Sequence, residues 1–270
     1  MNESPKPFFK PGPLTILKDF INRAIKGELH FPPWWLRDVG GSDFGATGQE
    51  FLNLFIQIGN LQPDERILEI GCGSGRMAIT LTSHLSRAGS YTGVDITRQS
   101  IVWCQRNISR RHSNFSFLHA DLYNKRYNPY GRHLAKEYTF PFGNESFDFI
   151  FLTSVFTHLL PEDTENYLCE IARLLRRDGR GFFTFFLLNG IQQSLAKQGH
   201  NDINFNYGTG PCRTRDAAIP ESAVAYDETC LLQLLSECRL ELRTVHYGTW
   251  SGREDGLSYQ DVLLVRRKEH

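Results

Sequence analysis

The stretch Arg66-Ile67-Leu68-Glu69-Ile70-Gly71-Cys72-Gly73-Ser74-Gly75-Arg76 decides the fold. Its first five residues are a short apolar run ending at a turn signal, which reads as a buried strand. Three glycines at alternate positions then form a turn without Cβ atoms at Gly71, Gly73 and Gly75, so the backbone can pass close to a ligand. Beyond it Met77, Ala78, Leu81 and Leu85 recur on one face of a helix. The unit is strand, tight turn, helix.

Moving outward, Tyr91 to Asp95 is a second strand and the stretch from about Arg98 to Arg111 a second helix. Phe115 to His119 and Phe147 to Leu152 make the third and fourth strands. Glu162 to Arg177 is a helix ending near Gly179, and Gly181 to Leu188 a fifth, aromatic strand. Such alternation implies a parallel sheet with helices on both faces. The ending differs: a helix over Asp227 to Glu237 leads to two strands, Leu240 to Tyr247 and Asp261 to Arg266, with no helix between them, so this pair is antiparallel. The fold class is therefore α/β, a doubly wound, mostly parallel seven-stranded sheet with an antiparallel C-terminal pair.

Asp95 closes the second strand about twenty residues beyond the glycine turn, where a carboxylate can accept from both ribose hydroxyls of an adenosine ligand. Ile96 beside it would pack on the adenine. The dinucleotide fingerprint G-x-G-x-x-G is not met, because Arg76 stands where the third glycine belongs and the glycine comes one residue early; hydride transfer with a nicotinamide cofactor loses ground.

The form Glu69-x-Gly71-x-Gly73-x-Gly75 resembles the first motif of class I, Rossmann-like S-adenosylmethionine-dependent methyltransferases. There the loop, here Glu69, Gly71, Cys72, Gly73 and Gly75, packs on the methionine and ribose portions of the cofactor. His119-Ala120-Asp121-Leu122 resembles the third motif, which implies that Asp121 accepts from the adenine amino group beside the Leu122 backbone. Phe140 to Phe151 resembles the segment that leads into the fourth strand of bacterial members. Thr153-Ser154-Val155-Phe156-Thr157-His158-Leu159 resembles the S-V-F-T-H-L stretch of bacterial methyltransferases acting on small molecules and glycans, and implies that Thr153 lies at the cofactor. The resemblance spans Arg66 to Leu188 and covers the first sixty residues hardly at all.

On this reading the chain has an N-terminal extension or lid over 1–59 and a methyltransferase domain over 60–270, with acceptor-side insertions at 123–142 and 189–226. His158 is the catalytic candidate: a neutral imidazole can take a proton from a hydroxyl as its oxygen attacks the sulfonium methyl. Packing over the cofactor or capping the next turn are its other readings. The expected reaction is O-methylation of a small molecule or saccharide, ahead of N- or C-methylation. An RNA or DNA methyltransferase is the nearest rival, and a catalytically silent S-adenosylmethionine-binding partner protein comes from a different class.

Composition narrows the rest. Lys plus Arg and Asp plus Glu both number 30, so no net positive field draws the chain to nucleic acid or anionic lipid, although a local patch is compatible with that balance. The Arg106 to Arg111 run reads as a solvated helix face. The six cysteines show no paired spacing that implies a disulfide framework or zinc site, and no H-x-x-x-H is present, so a reduced cytoplasm and no metal are expected. No stretch approaches about 18 uninterrupted apolar residues.

Three irregular stretches carry composition of their own. Tyr123 to His133 interleaves aromatic and basic groups, suited to stacking or to an anionic ring but also to any exposed loop. Asn201 to Arg215 offers flexible glycines and two arginines for a phosphate or carboxylate, and Trp250 is placed to wall a pocket. Pro32 to Gly41 precedes a helix over Gln49 to Gly59, with packing on the sheet and covering of the cofactor both open.

Overall fold

The computed structural model describes residues 10–37, 43–208 and 210–268; Asp38 to Gly41 of the aromatic stretch and Thr209 of the arginine-bearing loop lie outside them. Helices α1 (Pro13–Ile25) and α2 (Phe44–Gln57) come first. The frame follows as β1 (Arg66–Ile70), α3 (Arg76–Leu81), β2 (Ser90–Asp95), α4 (Arg98–Cys104), β3 (Phe115–His119), β4 (Phe147–Leu152), α5 (Pro161–Leu174) and β5 (Leu175–Phe185). Next come β6 (Leu187–Leu188), α6 (Gly190–Lys197), β7 (Cys212–Thr214), β8 (Val224–Asp227), α7 (Glu228–Glu237), β9 (Leu240–His246) and β10 (Asp261–Arg267).

Seven strands form one sheet in the order β3-β2-β1-β4-β5-β10-β9. The β1–β2, β2–β3, β1–β4 and β4–β5 pairs are parallel, whereas β10 runs antiparallel to both β5 and β9. The expected fold class is what forms. Strand order reverses between β2 and β4 on either side of β1, so the crevice outside the carboxyl ends of β1 and β4 is the switch point where open α/β sheets bind ligands.

The two faces of the sheet carry separate cores. Phe55 of α2, fully buried, lies 4.4 Å from Phe151 and 4.9 Å from Phe182 between ring centroids, so α2 packs on the sheet. On the other face α5 and α7 bury Leu168, Ile171 and Leu235 against Leu68, Ile150 and Leu263. Burial of this kind contributes on the order of 1.5 to 3 kcal/mol per large side chain.

Several expectations are corrected. The second helix is α-helical only through Cys104 and π-helical over Gln105–Ser109. The helix expected to reach Arg177 ends at Leu174, because Leu175 is extended and pairs with Phe147 of β4. The 189–226 stretch contains α6, and its later part joins β6 in a second sheet ordered β6-β8-β7. Trp250, expected to wall a pocket, is fully buried, donates from Nε1 to Asp261 at 2.8 Å and packs on Phe186 and Phe205. Cys169 of α5 and Cys238 after α7 form a disulfide across a separation of 69 residues, against the expectation of unpaired cysteines. Their Cα atoms stand 4.6 Å apart because both helices pack on one face of the sheet, a proximity that chain spacing does not encode.

Candidate active site at the carboxyl ends of β1, β2 and β4

The turn after β1 needs its glycines for different reasons. Gly71, Gly73 and Gly75 all have positive φ, which L side chains rarely adopt. A Cβ on Gly71 would meet a Val155 methyl at 2.2 Å, and one on Gly75 would meet Ile108 at 2.7 Å. A Cβ on Gly73 would meet nothing within 4 Å, so that glycine alone faces open space. The turn is pinned to β2 by the Gly71 and Cys72 amides, which donate to the Val94 carbonyl at 2.7 and 3.0 Å.

Asp95 lies in the same knot. Its Oδ2 accepts from the Gly73 amide at 2.7 Å and its Oδ1 from the Thr97 amide at 2.6 Å. The Thr97 side chain also donates to this carboxylate, so of its four lone-pair sites one remains. Burial pushes the Asp95 carboxyl up, and the donated amides oppose that. Ile96 is half-buried at the same edge, and the His119 ring donates from Nε2 to its carbonyl at 3.1 Å, which fixes the bend after Asp95.

Glu69 is buried under the turn, where the Tyr91 hydroxyl donates to it; burial pushes its carboxyl up to about 8, against that hydrogen bond and the nearby Arg76 charge. Cys72 is buried in the core with its thiol pushed up by burial. Over the turn, Ser74 Oγ donates to the Leu36 carbonyl at 2.7 Å, so the 3₁₀ turn Trp34–Leu36 reaches the glycine loop.

Asp121 is engaged by the chain itself. Arg132 donates to its Oδ2 at 2.6 Å and Asn128 to its Oδ1 at 3.3 Å, and the Arg132 hydrogen bond holds its carboxyl below the usual range. The Leu122 side chain is buried in the core and its amide donates to the Ala120 carbonyl at 2.8 Å. The 123–133 stretch thus folds back on Asp121, and Gly131 is required there because a Cβ would lie 2.2 Å from the Leu122 carbonyl.

Beyond β4, Thr153 is buried and Ser154 takes a left-handed φ of 57°. The Ser154 amide donates to Thr184 Oγ1 at 2.7 Å, and both hydroxyls donate to Gln260 Oε1, at 3.0 and 2.6 Å. A strained residue tied to β5 and to the residue before β10 fixes the path into the 3₁₀ turn Phe156–His158. His158 Nδ1 lies 2.8 Å from the Glu221 carbonyl, which can only accept, so Nδ1 carries the proton. Nε2 is then the acceptor and faces the Tyr127 hydroxyl at 3.3 Å. Burial lowers the imidazole to about 4, which keeps it neutral.

The structure therefore groups Glu69, Gly71, Cys72, Gly73, Gly75, Asp95 and Ile96 in one knot, places Asp121 and Leu122 under the first insertion, and joins His158 to both insertions. Tyr127, Glu221, Thr184 and Gln260 are partners that sequence reasoning missed. They lie 30 to 106 residues from the groups they touch, and only the Ser154-to-Leu159 stretch itself marked the place. Among the described residues no three of His, Cys, Asp or Glu converge to hold a metal ion.

Residues 67–179 match the family model of a methyltransferase domain. Over these residues the chain resembles a methyltransferase domain. Over 122 residues, 44% of the chain, it is 34% identical to a phthiotriol/phenolphthiotriol dimycocerosates methyltransferase of Mycobacterium ulcerans, spanning 37% of that relative's length. The fold is shared with a 1,6-didemethyltoxoflavin-N1-methyltransferase of Burkholderia thailandensis, solved with S-adenosylhomocysteine, at 19% identity and a TM-score of 0.54, covering 98% of this chain and 94% of that one. It is also shared with a SAM-dependent methyltransferase of Methanosarcina mazei, at 22% identity and a TM-score of 0.52, covering 80% and 98%. The stretch so matched runs from β1 to the first residues of β5 and includes every proposed cofactor residue.

Proposed function

We propose that the chain is an S-adenosylmethionine-dependent methyltransferase that transfers the methyl group to an oxygen of a small-molecule or saccharide acceptor. The observation that carries this reading is the Asp95–Gly73 bond, which joins an acid with a spare lone pair to the one glycine of the turn that faces open space. When bound, S-adenosylmethionine supplies an electrophilic methyl group on a sulfonium, so an in-line approach provides much of the rate.

Asp95 would hold a ribose hydroxyl, Ile96 would wall the adenine, and the turn from Gly71 to Gly75 would lie against the amino acid end. Asp121, held by Arg132, contributes to the adenine side only through what its two partners leave open. His158 is kept neutral with its acceptor nitrogen toward Tyr127, so a proton leaving an acceptor hydroxyl can pass by way of Tyr127 to Nε2. Thr157 Oγ1, next to His158 in the chain, and Ser222 Oγ, next to its partner Glu221, are buried without a hydrogen-bond partner, which supports recognition of a polar acceptor.

The names of the Mycobacterium and Burkholderia proteins denote small-molecule acceptors, and the zero net charge supports the same class here over nucleic acid. The Cys169–Cys238 disulfide weighs against the reduced cytoplasm expected from the cysteine spacing. Titration calorimetry is the test: S-adenosylhomocysteine binds and NAD does not, and labelled methyl groups move from the donor to a member of a small-molecule and saccharide library. Binding of NAD alone would overturn the reading.

A further inference from the structure

Helix α1 is built inside out. Its one buried residue is Asp19, while Leu14 and Ile25 are 75% and 80% exposed and Ile16, Leu17, Phe20 and Ile21 are each about half exposed. At 100° per residue Leu14, Leu17, Ile21 and Ile25 form one stripe, with Phe20 widening it. A helix that packed this face inward would show the reverse pattern. The polar side does the anchoring: Arg23 donates to Asp19 at 2.7 Å and to the Phe31 carbonyl at 3.0 Å, and Asp19 accepts from the Trp34 amide at 3.2 Å.

Charge selects the occupant of the exposed face. Between residues 10 and 27 the only acid is Asp19, which is buried and paired, so Lys10, Lys18 and Lys26 leave three exposed positive charges and no exposed negative one. Lys18 borders the stripe, and Trp34, bonded to Asp19 through its amide, is 55% exposed. An apolar stripe flanked by lysines with an indole at its edge matches the boundary between anionic headgroups and acyl chains. A second copy presenting the same face would set these lysines against their like, which opposes self-association. At 13 residues the helix is too short to span a bilayer and suited to lie in its surface.

We propose that α1 docks on an anionic lipid surface, lying in the interface with Leu14, Leu17, Phe20, Ile21 and Ile25 among the acyl chains. The helix is coupled to the candidate active site, because Asp19 holds Trp34, and Leu36 two residues on accepts from Ser74 of the glycine turn at 2.7 Å. Docking therefore sets the mouth of the crevice beside the membrane.

The test is co-sedimentation of the full chain with phosphatidylcholine vesicles, with and without phosphatidylglycerol, and needs no methyl transfer, so its failure is distinct from failure of the proposed activity. The protein should pellet with the mixed vesicles and weaken as salt rises. Leu17→Glu with Ile21→Glu should cut partitioning at least about tenfold, and Lys18→Glu about fivefold or more, with melting temperatures unchanged because these side chains are exposed. Failure of the wild-type protein to pellet overturns the proposal, as does pelleting that the variants leave unchanged. A stable dimer in ultracentrifugation that the double variant splits, without vesicle binding, would overturn it in favour of a second copy.

Discussion

Asp95 and Gly73 are bonded carboxylate to amide at 2.7 Å, so the end of β2 and the turn after β1 form one unit rather than two neighbouring motifs. The acid shapes the turn that it helps to make a site. Removing it should act on both.

Asp95→Ala is expected to weaken S-adenosylhomocysteine by roughly 10- to 100-fold, the usual loss for a charge-assisted hydrogen-bond partner. Asp95→Asn keeps the shape and one acceptor oxygen but turns an NH₂ toward an amide donor, so it should fall between. Calorimetry on both variants decides: wild-type affinity in the two together removes Asp95 from the cofactor site.

The three glycines of the turn separate fold from site. Gly71→Ala combines a left-handed φ with a 2.2 Å encounter with Val155, so it should lower stability by about 2 to 4 kcal/mol in urea melts. Gly73→Ala meets no neighbour and carries only the conformational cost, on the order of 1 kcal/mol. Its effect should appear mainly in cofactor affinity. Equal stability loss at both positions, with Gly73→Ala binding normally, would show that the open face is not used.

The sheet was legible because each frame strand is a compact apolar run and the glycine turn follows the first of them. Legibility stopped where contacts are distant. Nothing in the spacing of Cys169 and Cys238 announces a pair 69 residues apart, and Tyr127 and Glu221 reach His158 from 31 residues before and 63 after. The second sheet escaped because β6 and β7 have two and three residues, too few for a period to register. Among the proposed site residues, the knot around Asp95 follows from local spacing, whereas the engagement of Asp121 by Arg132 depends on how an insertion folds back.

The disulfide between α5 and the end of α7 closes a loop of about 70 residues, for which chain entropy gives on the order of 4 kcal/mol. Reduction by dithiothreitol should lower the melting temperature by roughly 10 °C. Cys169→Ser should melt low with or without reductant, and a wild-type melt insensitive to reductant would mean that the bond contributes nothing to stability.

His158 carries the last prediction, because its two nitrogens assign it one protonation state. With Nδ1–H donated to the Glu221 carbonyl and Nε2 facing Tyr127, the folded protein holds the neutral ring down to about pH 4, while the unfolded chain protonates near 6.5. The folded value is the lower one, so the unfolded state takes up more protons between these limits and stability falls as pH drops from 6.5 toward 4. The loss from this residue should reach roughly 3 kcal/mol at most, and His158→Asn should flatten that part of the urea-melt profile. Activity follows a separate line. If His158 receives the acceptor proton by way of Tyr127, turnover should show no titration of this ring above about pH 5, and Tyr127→Phe and His158→Asn should each lower kcat by roughly 10²- to 10⁴-fold with cofactor affinity retained. A packing role gives a different pattern, in which stability and affinity fall together while kcat holds. Wild-type turnover in Tyr127→Phe alone would leave His158 to act without the hydroxyl, and wild-type turnover in both variants would leave orientation of the reactants as the main source of rate.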